Sequence, residues 1–417
     1  MKYVQYGMKT VFITVLFAVV LVLISGSREA SAHATLEHMT PKEDQVVSSA
    51  PNKIELKFNE PVDADHSAIA LYNDNGDVIE HLKPTEAGSS NVLTFSPQHL
   101  HKGTHQLKWH AISADGHEVG STYNFSVGQR TAHHIDTSLP FYQKVSFWFG
   151  LVRYVTEALM ILSVGYYLVN KLAERRGLKV YQILPHHQAV IWSIIILIII
   201  TGLLYLFTLS NDIRKDILSL DKATLLQTPF IITSVALIIL FFLWTLNRMT
   251  EIWYTLIPST IIIVLSMSGH AWSQHLVWWS LFIRVIHIGG IALWLGALIY
   301  LIVDYFQDTH HSMVRTTRRF LLQTNLIAVL MIIISGILMM VDETHISILW
   351  SEFHTWTILV VVKMIGTALM MLLGYYQTIH ALKHQGRARL LPLMSELSIG
   401  VLLVLLGVVM SQISIPA

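Results

Sequence analysis

The strongest constraint on this chain is a series of long apolar runs that fills residues 144–417. A helix needs about 20 mostly apolar residues to cross the hydrocarbon core of a bilayer. Over the whole chain 53% of the residues are hydrophobic and 13% are charged, which is typical of membrane proteins. The pattern predicts an all-α polytopic membrane domain with eight transmembrane helices, at 145–169, 187–209, 228–246, 251–268, 279–303, 319–341, 353–377 and 393–414.

The loop charges predict how these helices are oriented in the lipid bilayer. Lys and Arg are concentrated in the loops that a first helix running inward would place inside the cell, as the positive-inside rule requires. The acidic loop at 342–352 then falls outside. An even number of spans puts the C-terminus on the same side as the N-terminal domain. We therefore expect a multi-pass plasma-membrane protein with both of these parts on the extracytoplasmic side.

Residues 1–32 have the form of a secretion signal peptide. A short basic start precedes an apolar run from Val11 to Ile24, and small residues end at Ala32, where a signal peptidase would cut. The run is short for a membrane span, which favours cleavage over an uncleaved anchor. Cleavage after Ala32 would make His33 the first residue, with a free α-amine beside its imidazole.

Residues 33–128 differ in character from the membrane domain. From 33 to 140 the chain carries seven basic and fourteen acidic side chains, an acidic balance that argues against nucleic-acid binding. Short runs with a period of two alternate with turn pairs, which predicts a small antiparallel, all-β Greek-key sandwich outside the membrane. The aperiodic residues 129–143 are expected to be a linker.

One turn of this domain holds candidate metal ligands. Asp115 and His117 are two residues apart, so on a strand both would face the same side. A freed His33 would add its amine and its imidazole, giving three nitrogens and one oxygen. Cu(II) favours such a set, whereas Zn(II) is more often tetrahedral. The alternative is a plain hairpin turn, because Asp-Gly is a common turn pair. The chain has no cysteine, so a thiolate site is excluded.

Three segments of the domain carry a family resemblance. They are His33-Ala34 at the predicted start, Leu56-x-Phe58-x-Glu60-Pro61-Val62, and residues 112–117 (Ile-Ser-Ala-Asp-Gly-His) with Phe125-Ser126-Val127 following. Together they resemble the CopC family of copper-binding proteins. The resemblance implies Cu(II) ligation by His33, Asp115 and His117. The remaining histidines are expected to be surface or structural residues, among them His38, His66, His81, His101, His105 and His110.

Ionisable side chains within the apolar runs usually face the interior of a helix bundle. Arg153 and Glu157 are one turn apart and are expected to pair, with Lys363 as a further candidate partner of Glu157. Methionine and histidine can carry copper where no thiolate exists. The candidates for a membrane path, with Cu(I) as well as Cu(II) as cargo, are Met267, His270, His275 and His287. The alternative is that His270 and His275 are solvent-exposed loop residues and that Met267 only packs against neighbouring side chains.

The membrane domain has a resemblance of its own. Residues 268–271 (Ser-Gly-His-Ala), Arg284-x-x-His287 and Trp294-Leu295-Gly296 look like the CopD family of copper membrane proteins, as does a last helix that contains Glu396-Leu397. A chain with both halves resembles the CopC–CopD fusions. The resemblance implies capture of copper outside, transfer to the membrane domain and, as the favoured direction, import.

Other functions are weaker alternatives. Copper buffering or resistance without uptake needs only the outer domain. A haem-containing membrane oxidoreductase would need paired histidines at matching depths, and His287 has no obvious intramembrane partner. An oxidative copper enzyme would find its coordination space taken by Asp115. No nucleotide-binding loop is found, so the expectation is a transporter and not an enzyme.

Overall fold

The computed structural model describes residues 34–113, 118–132, 140–181, 188–209, 211–267, 276–307, 314–344, 355–382 and 388–412. The predicted signal peptide, 1–32, lies outside the described residues. The linker is described only in part. Thr131 and Ala132 donate backbone N–H groups to the Thr104 hydroxyl at 3.0 Å, so the β domain holds the chain up to that point.

The N-terminal domain is the expected β-sandwich-like fold, and one long strand organises it. Strand β3 runs over 19 residues and pairs with four neighbours, so the two halves of the domain form one hydrogen-bonded sheet. The apolar residues that alternate with polar ones along the strands, such as Leu56, Phe58 and Leu107, are buried. The strands are β1 Leu36–Thr40, β2 Val46–Val47, β3 Ile54–Tyr72, β4 Val78–Leu82, β5 Ser89–Phe95, β6 Gly103–Ser113 and β7 Glu118–Val127.

The expectation of a purely antiparallel domain was wrong for one strand. β2 pairs with β7 in parallel, with Val46 opposite Ser126. Asp44, just before β2, has φ 58°, and its backbone N–H donates to the carbonyl of Asn124 at 2.7 Å. This tight turn brings the chain beside the outer edge of β7 in the parallel direction. The other strand pairs are antiparallel.

The membrane domain is helical, and each of the eight apolar runs contains a helix. Among the residues that the structure describes, six of these helices are long and apolar enough to cross a membrane. A short 3-10 turn, Phe141–Gln143, precedes them. The helices are α1 Val145–Glu174, α2 Gln188–Thr208, α3 Asn211–Leu218, α4 Lys222–Gln227, α5 Pro229–Trp244, α6 Glu251–Ser266, α7 Val277–Gln307, α8 Val314–Glu343, α9 Thr355–Tyr375 with a π-helical end Tyr376–Ala381, and α10 Leu390–Met410.

Two predicted spans, 228–246 and 251–268, form helices shorter than expected. α5 and α6 have 16 residues each. At 1.5 Å per residue they are about 24 Å long, less than the ~30 Å of a typical hydrocarbon core. A tight turn in which Arg248 has φ 65° separates them and uses residues that the apolar pattern assigned to the helices. α3 and α4 were not predicted, because they are short and carry no long apolar run.

Candidate metal centre

The strand register brings the neighbours of the predicted ligands to one part of the β domain. Thr35 exchanges two hydrogen bonds with Asn59: its N–H donates to the side-chain oxygen at 2.7 Å, and its carbonyl accepts from the backbone N–H at 3.0 Å. At the end of β6, Ser113 lies opposite Val62 of the same strand, β3. The residues that flank the two ligand segments therefore meet β3 within three positions of each other.

The described residues next to each ligand segment are held firmly in the β domain. Ala34 is fully buried in the core of the β domain. The β6–β7 ladder is continuous from Gly103 opposite Val127 to Ile112 opposite Glu118. His33, Asp115 and His117 themselves lie outside the described residues, so their assignment as Cu(II) ligands stays a prediction. Within the ranges that the structure describes, no group of three or more His, Cys, Asp or Glu side chains could hold a metal.

The outer domain contacts the membrane domain directly below these strands. Ile112, the residue before Ser113, is 5% exposed and packs in one apolar cluster with residues of the membrane domain. Its buried partners there are Phe149, Tyr205, Leu209, Ile213 and Ile217. The end of β6 that leads into the predicted ligands is therefore seated on α1, α2 and α3.

A histidine joins the two domains at the same interface. His66 Nδ1 lies 2.9 Å from Asp63 Oδ2 on β3, and its Nε2 lies 3.2 Å from Asp216 Oδ2 on α3. Burial alone would lower the pKa of His66, but the hydrogen bonds to the two carboxylates and their negative charges outweigh it and raise the pKa above 6.5. This contact could not be predicted from sequence patterns, because its partners are 150 residues apart.

We expect this contact to be strongest at acidic pH. Because folding raises the pKa of His66, the stability that the charged ring contributes is fully present below pH 6.5 and is lost as the pH rises through the folded value. His66→Gln should therefore lower Tm at pH 5.5, by no more than about 2 °C for a partly exposed pair. At pH 8 the loss should be smaller. Thermal unfolding of the purified chain in detergent measures both.

The matched control is His99→Gln. His99 also faces a carboxylate, that of Glu80 at 3.6 Å, but its side chain is 65% exposed and the pair lies within the β domain. His99→Gln should leave Tm unchanged at both pH values. Asp216→Asn, by contrast, should reproduce the effect of His66→Gln. Equal losses at pH 5.5 and pH 8 would contradict the assignment.

The candidates for a membrane path are only partly described. Met267 is half-buried just after α6, and His270 and His275 lie outside the described residues. His287 is in α7, where its Nδ1 lies 2.9 Å from the Ser335 hydroxyl of α8. That hydroxyl donates to the carbonyl of Met331, so it accepts the ring's hydrogen bond and favours the tautomer with the proton on Nδ1.

The other charged side chains of the apolar helices pair mainly within or between neighbouring helices. Arg153 Nε donates to Glu157 Oε1 at 2.7 Å, which confirms the expected one-turn pair. Arg284 pairs with Glu343 at 3.2 Å. The suggestion that Lys363 pairs with Glu157 was wrong: within the described residues Lys363 forms no such ion pair, and its Nζ lies beside Gly407.

Comparison with known proteins identifies the outer domain. The CopC domain profile matches residues 36–128. Copper transport protein CutJ of Bacillus subtilis (strain 168) is 36% identical over 112 residues, which are 26% of this chain and 20% of that protein. Copper resistance protein C of Pseudomonas syringae pv. tomato is 32% identical over 128 residues, 28% of this chain and 96% of that protein.

The family model matches the N-terminal part of the chain. The chain spans only one fifth of the length of CutJ, whereas it spans nearly all of copper resistance protein C. The crystal structure of CopC from Methylosinus trichosporium OB3b aligns at 25% identity over 25% of this chain and 100% of that chain, with a TM-score of 0.22. Through its N-terminal domain, the chain belongs to the CopC family.

Proposed function

We propose that the outer domain captures Cu(II) outside the cell and passes it to the membrane domain for import. The observation that carries the proposal is that Ile112, near the end of β6, packs against helices of the membrane domain. This strand leads directly into the segment with Asp115 and His117. Copper held there would already lie beside the helices. The names of the relatives, a copper transport protein and a copper resistance protein, support copper as the cargo.

In this proposal the mature chain begins at His33 and supplies two nitrogens, its amine and its ring. Asp115 and His117 supply an oxygen and a third nitrogen. The α-amine must lose its proton to bind the metal, and its pKa is ordinarily about 7.7–8.0. Cu(II) affinity should therefore fall as the pH drops below that range. The proposal makes the protein a binding and transport protein and not an enzyme.

The membrane domain would carry the ion inward through eight spans, with both the outer domain and the C-terminus outside. The two short helices, α5 and α6, would then cross together as a hairpin packed against α1 and α2. An inside-negative potential favours inward movement of a cation by about 2.3 kcal/mol per charge per 100 mV. No further energy source is required. The CopD resemblance and the path through Met267, His270, His275 and His287 belong to this proposal.

A second candidate function is copper resistance or buffering without transport. The name of copper resistance protein C favours it, because 28% of this chain matches that relative over 96% of its length. In this alternative the membrane domain would only anchor the binding domain. The two functions share the same metal ligands and differ in whether copper crosses the bilayer.

We expect removal of a ligand to weaken Cu(II) binding by at least about 10-fold to 100-fold, the range that even the loss of an outer partner of a ligand can cost. His117→Ala and Asp115→Ala should show this in titrations of the purified chain in detergent. Electron paramagnetic resonance should lose one nitrogen coupling in His117→Ala. Blocking the N-terminal amine by acetylation should weaken binding as well.

The control is His99→Ala, which removes an exposed histidine of the same domain. It should bind Cu(II) as the wild type does. If His117→Ala and Asp115→Ala also bound with wild-type affinity, the ligand assignment would be wrong.

A further inference from the structure

The segment between α2 and α5 is fixed at the end of α2, directly below the outer domain. It consists of α3, Asn211–Leu218, and α4, Lys222–Gln227. Arg214 of α3 donates from Nε and from one terminal nitrogen to the carbonyls of Leu206 and Leu209, at 3.0 Å each. These carbonyls at the end of α2 are thereby satisfied. The α3–α4 segment therefore lies at the level where α2 ends.

One face of this segment is covered by the outer domain. Ile213 and Ile217 are one helical turn apart, are buried, and share an apolar cluster with Ile112 of β6. Asp216 of the same helix bonds to His66 of β3 at 3.2 Å. The outer domain is therefore supported by α3 through both an apolar and a polar contact.

The α3–α4 segment also exposes three leucines. The side chains of Leu218, Leu220 and Leu226 are 68%, 75% and 65% exposed. They continue the exposed apolar surface of α2, where Leu203 and Phe207 are 51% and 58% exposed. Outward-facing apolar side chains of a membrane-spanning helix contact lipid. The same lipid is therefore available to the three leucines beside it.

The backbone at Leu220 indicates that this side chain has a partner outside the chain. Leu220 has φ 61°, in the left-handed region. It follows α3 in a turn in which the N–H of Asp221 donates to the carbonyl of Asp216 at 2.9 Å. Glycine is usual at such a position, because a Cβ atom is unfavourable there. A leucine with this cost and an exposed side chain gains little from packing within the described residues, whereas lipid would bury it.

The charges of the segment suit a surface of lipid phosphates. Asp216 is bonded to the outer domain, and Asp221 accepts from the N–H and the hydroxyl of Thr224 at 2.9 Å each. Lys215 and Lys222 are exposed, and neither takes part in an ion pair within the described residues. Lysine can lay its apolar stem along an apolar surface and keep its charge at the phosphates.

We propose that the α3–α4 segment lies in the headgroup region of the leaflet below the outer domain, with Leu218, Leu220 and Leu226 inserted among the lipids. The partner is a phospholipid surface, whose acyl boundary takes the leucines and whose phosphates take the lysines. Segments of this kind bury their apolar face by about 5–10 Å. Lipid then supports the outer domain through α3. The contact requires only that α2 and α5 cross the membrane, so it does not depend on whether copper is imported.

The test is the depth of spin labels in the bilayer. The chain has no cysteine, so one introduced cysteine can be labelled without background. Leu218→Cys, Leu220→Cys and Leu226→Cys are made singly in the full chain and reconstituted into vesicles of phosphatidylcholine and phosphatidylglycerol. Electron paramagnetic resonance then compares the access of oxygen, which concentrates in lipid, with that of a nickel chelate, which stays in water. All three labels should favour oxygen.

Two further labels are the matched controls. Leu203→Cys, on the exposed face of α2, should show the strongest preference for oxygen. Val78→Cys, on β4, replaces a side chain that is 49% exposed. Val78 lies opposite Tyr72, which lies opposite Gln106, six residues and about 20 Å along β6 from Ile112. Its label should favour the nickel chelate, and the three α3–α4 labels should lie between the two controls.

Three results would overturn the proposal. Values equal to those of Val78→Cys at all three positions would show that water covers the leucines. Low access to both reagents would show that protein covers them, as in contact with a second copy of the chain. Leu220→Gly should melt no lower than the wild type in detergent, because glycine accepts the left-handed backbone. A melting temperature several degrees lower would show that Leu220 packs within the protein.

Discussion

Gly296→Leu is expected to abolish folding of the membrane domain. Gly296 of α7 lies against Gly165 of α1, and a Cβ atom added at Gly296 would overlap the backbone carbonyl of Gly165. A Cβ atom added at Gly165 would in turn overlap the backbone carbonyl of Ala292. Backbone atoms cannot rotate out of the way, so the two helices would have to separate. Gly165→Leu should fail in the same way.

The expected cost is more than about 4 kcal/mol, the range reserved for the most disruptive single substitutions. Small residues allow helices in membranes to approach closely, and their packing is the main attraction between helices there. α1 and α7 form one of the most extensive helix contacts in the domain. Fluorescence-detected size-exclusion chromatography in mild detergent should show aggregated or absent protein.

Gly202→Leu is the matched control. Gly202 is also in an apolar helix, α2, but a Cβ atom there would meet nothing within 4 Å. The variant should elute as the wild type and melt within a few degrees of it. A monodisperse Gly296→Leu protein with the melting temperature of the Gly202→Leu control would contradict the packing described for α1 and α7.

The periodic elements of this fold could be predicted, because hydrophobic patterning determines them locally. Ile54, Leu56 and Phe58 alternate with polar residues and form the buried face of β3. The eight apolar runs all contain helices. The end of α5 could not be predicted, since Leu246 extends the apolar run beyond Trp244, the last residue of the helix.

Contacts between distant elements were the part that the sequence did not reveal. The bridge from His66 to Asp216 depends on how the β domain sits on α3. By default His66 was expected to be a surface or structural residue, and the structure makes it an interdomain contact. The local pair of Arg153 and Glu157 could be predicted because one helical turn separates them. A cavity between α1, α2, α5 and α6 lies beside that pair, and it has no local signature because four helices are needed to form it.

The candidate metal site could be predicted only in part. The residues around Asp115 and His117 are recognisable as a motif. That the start of β1 and the end of β6 meet the same short part of β3 follows only from the register. Ile112 illustrates the same limit: its apolar character predicts burial, but not that part of its packing comes from the membrane domain.

The second large effect is expected in the copper content of cells that express this chain. If copper is imported, each unit of charge that crosses 100 mV gains about 2.3 kcal/mol, which corresponds to about a 50-fold concentration ratio. A strain that lacks the protein should therefore hold far less copper under starvation. His117→Ala should approach the deletion strain, because capture outside precedes transfer. His99→Ala should accumulate copper as the wild type does.

The measurement that tests the central claim most directly is copper accumulation in copper-starved cells, compared among the wild type, the deletion strain, His33→Ala, His117→Ala and His287→Ala. Import predicts lower cell copper in the deletion strain and in all three variants. Higher cell copper with increased copper sensitivity in the deletion strain would contradict import and show protection or efflux. Equal copper in every strain would leave metal binding as the function of the outer domain.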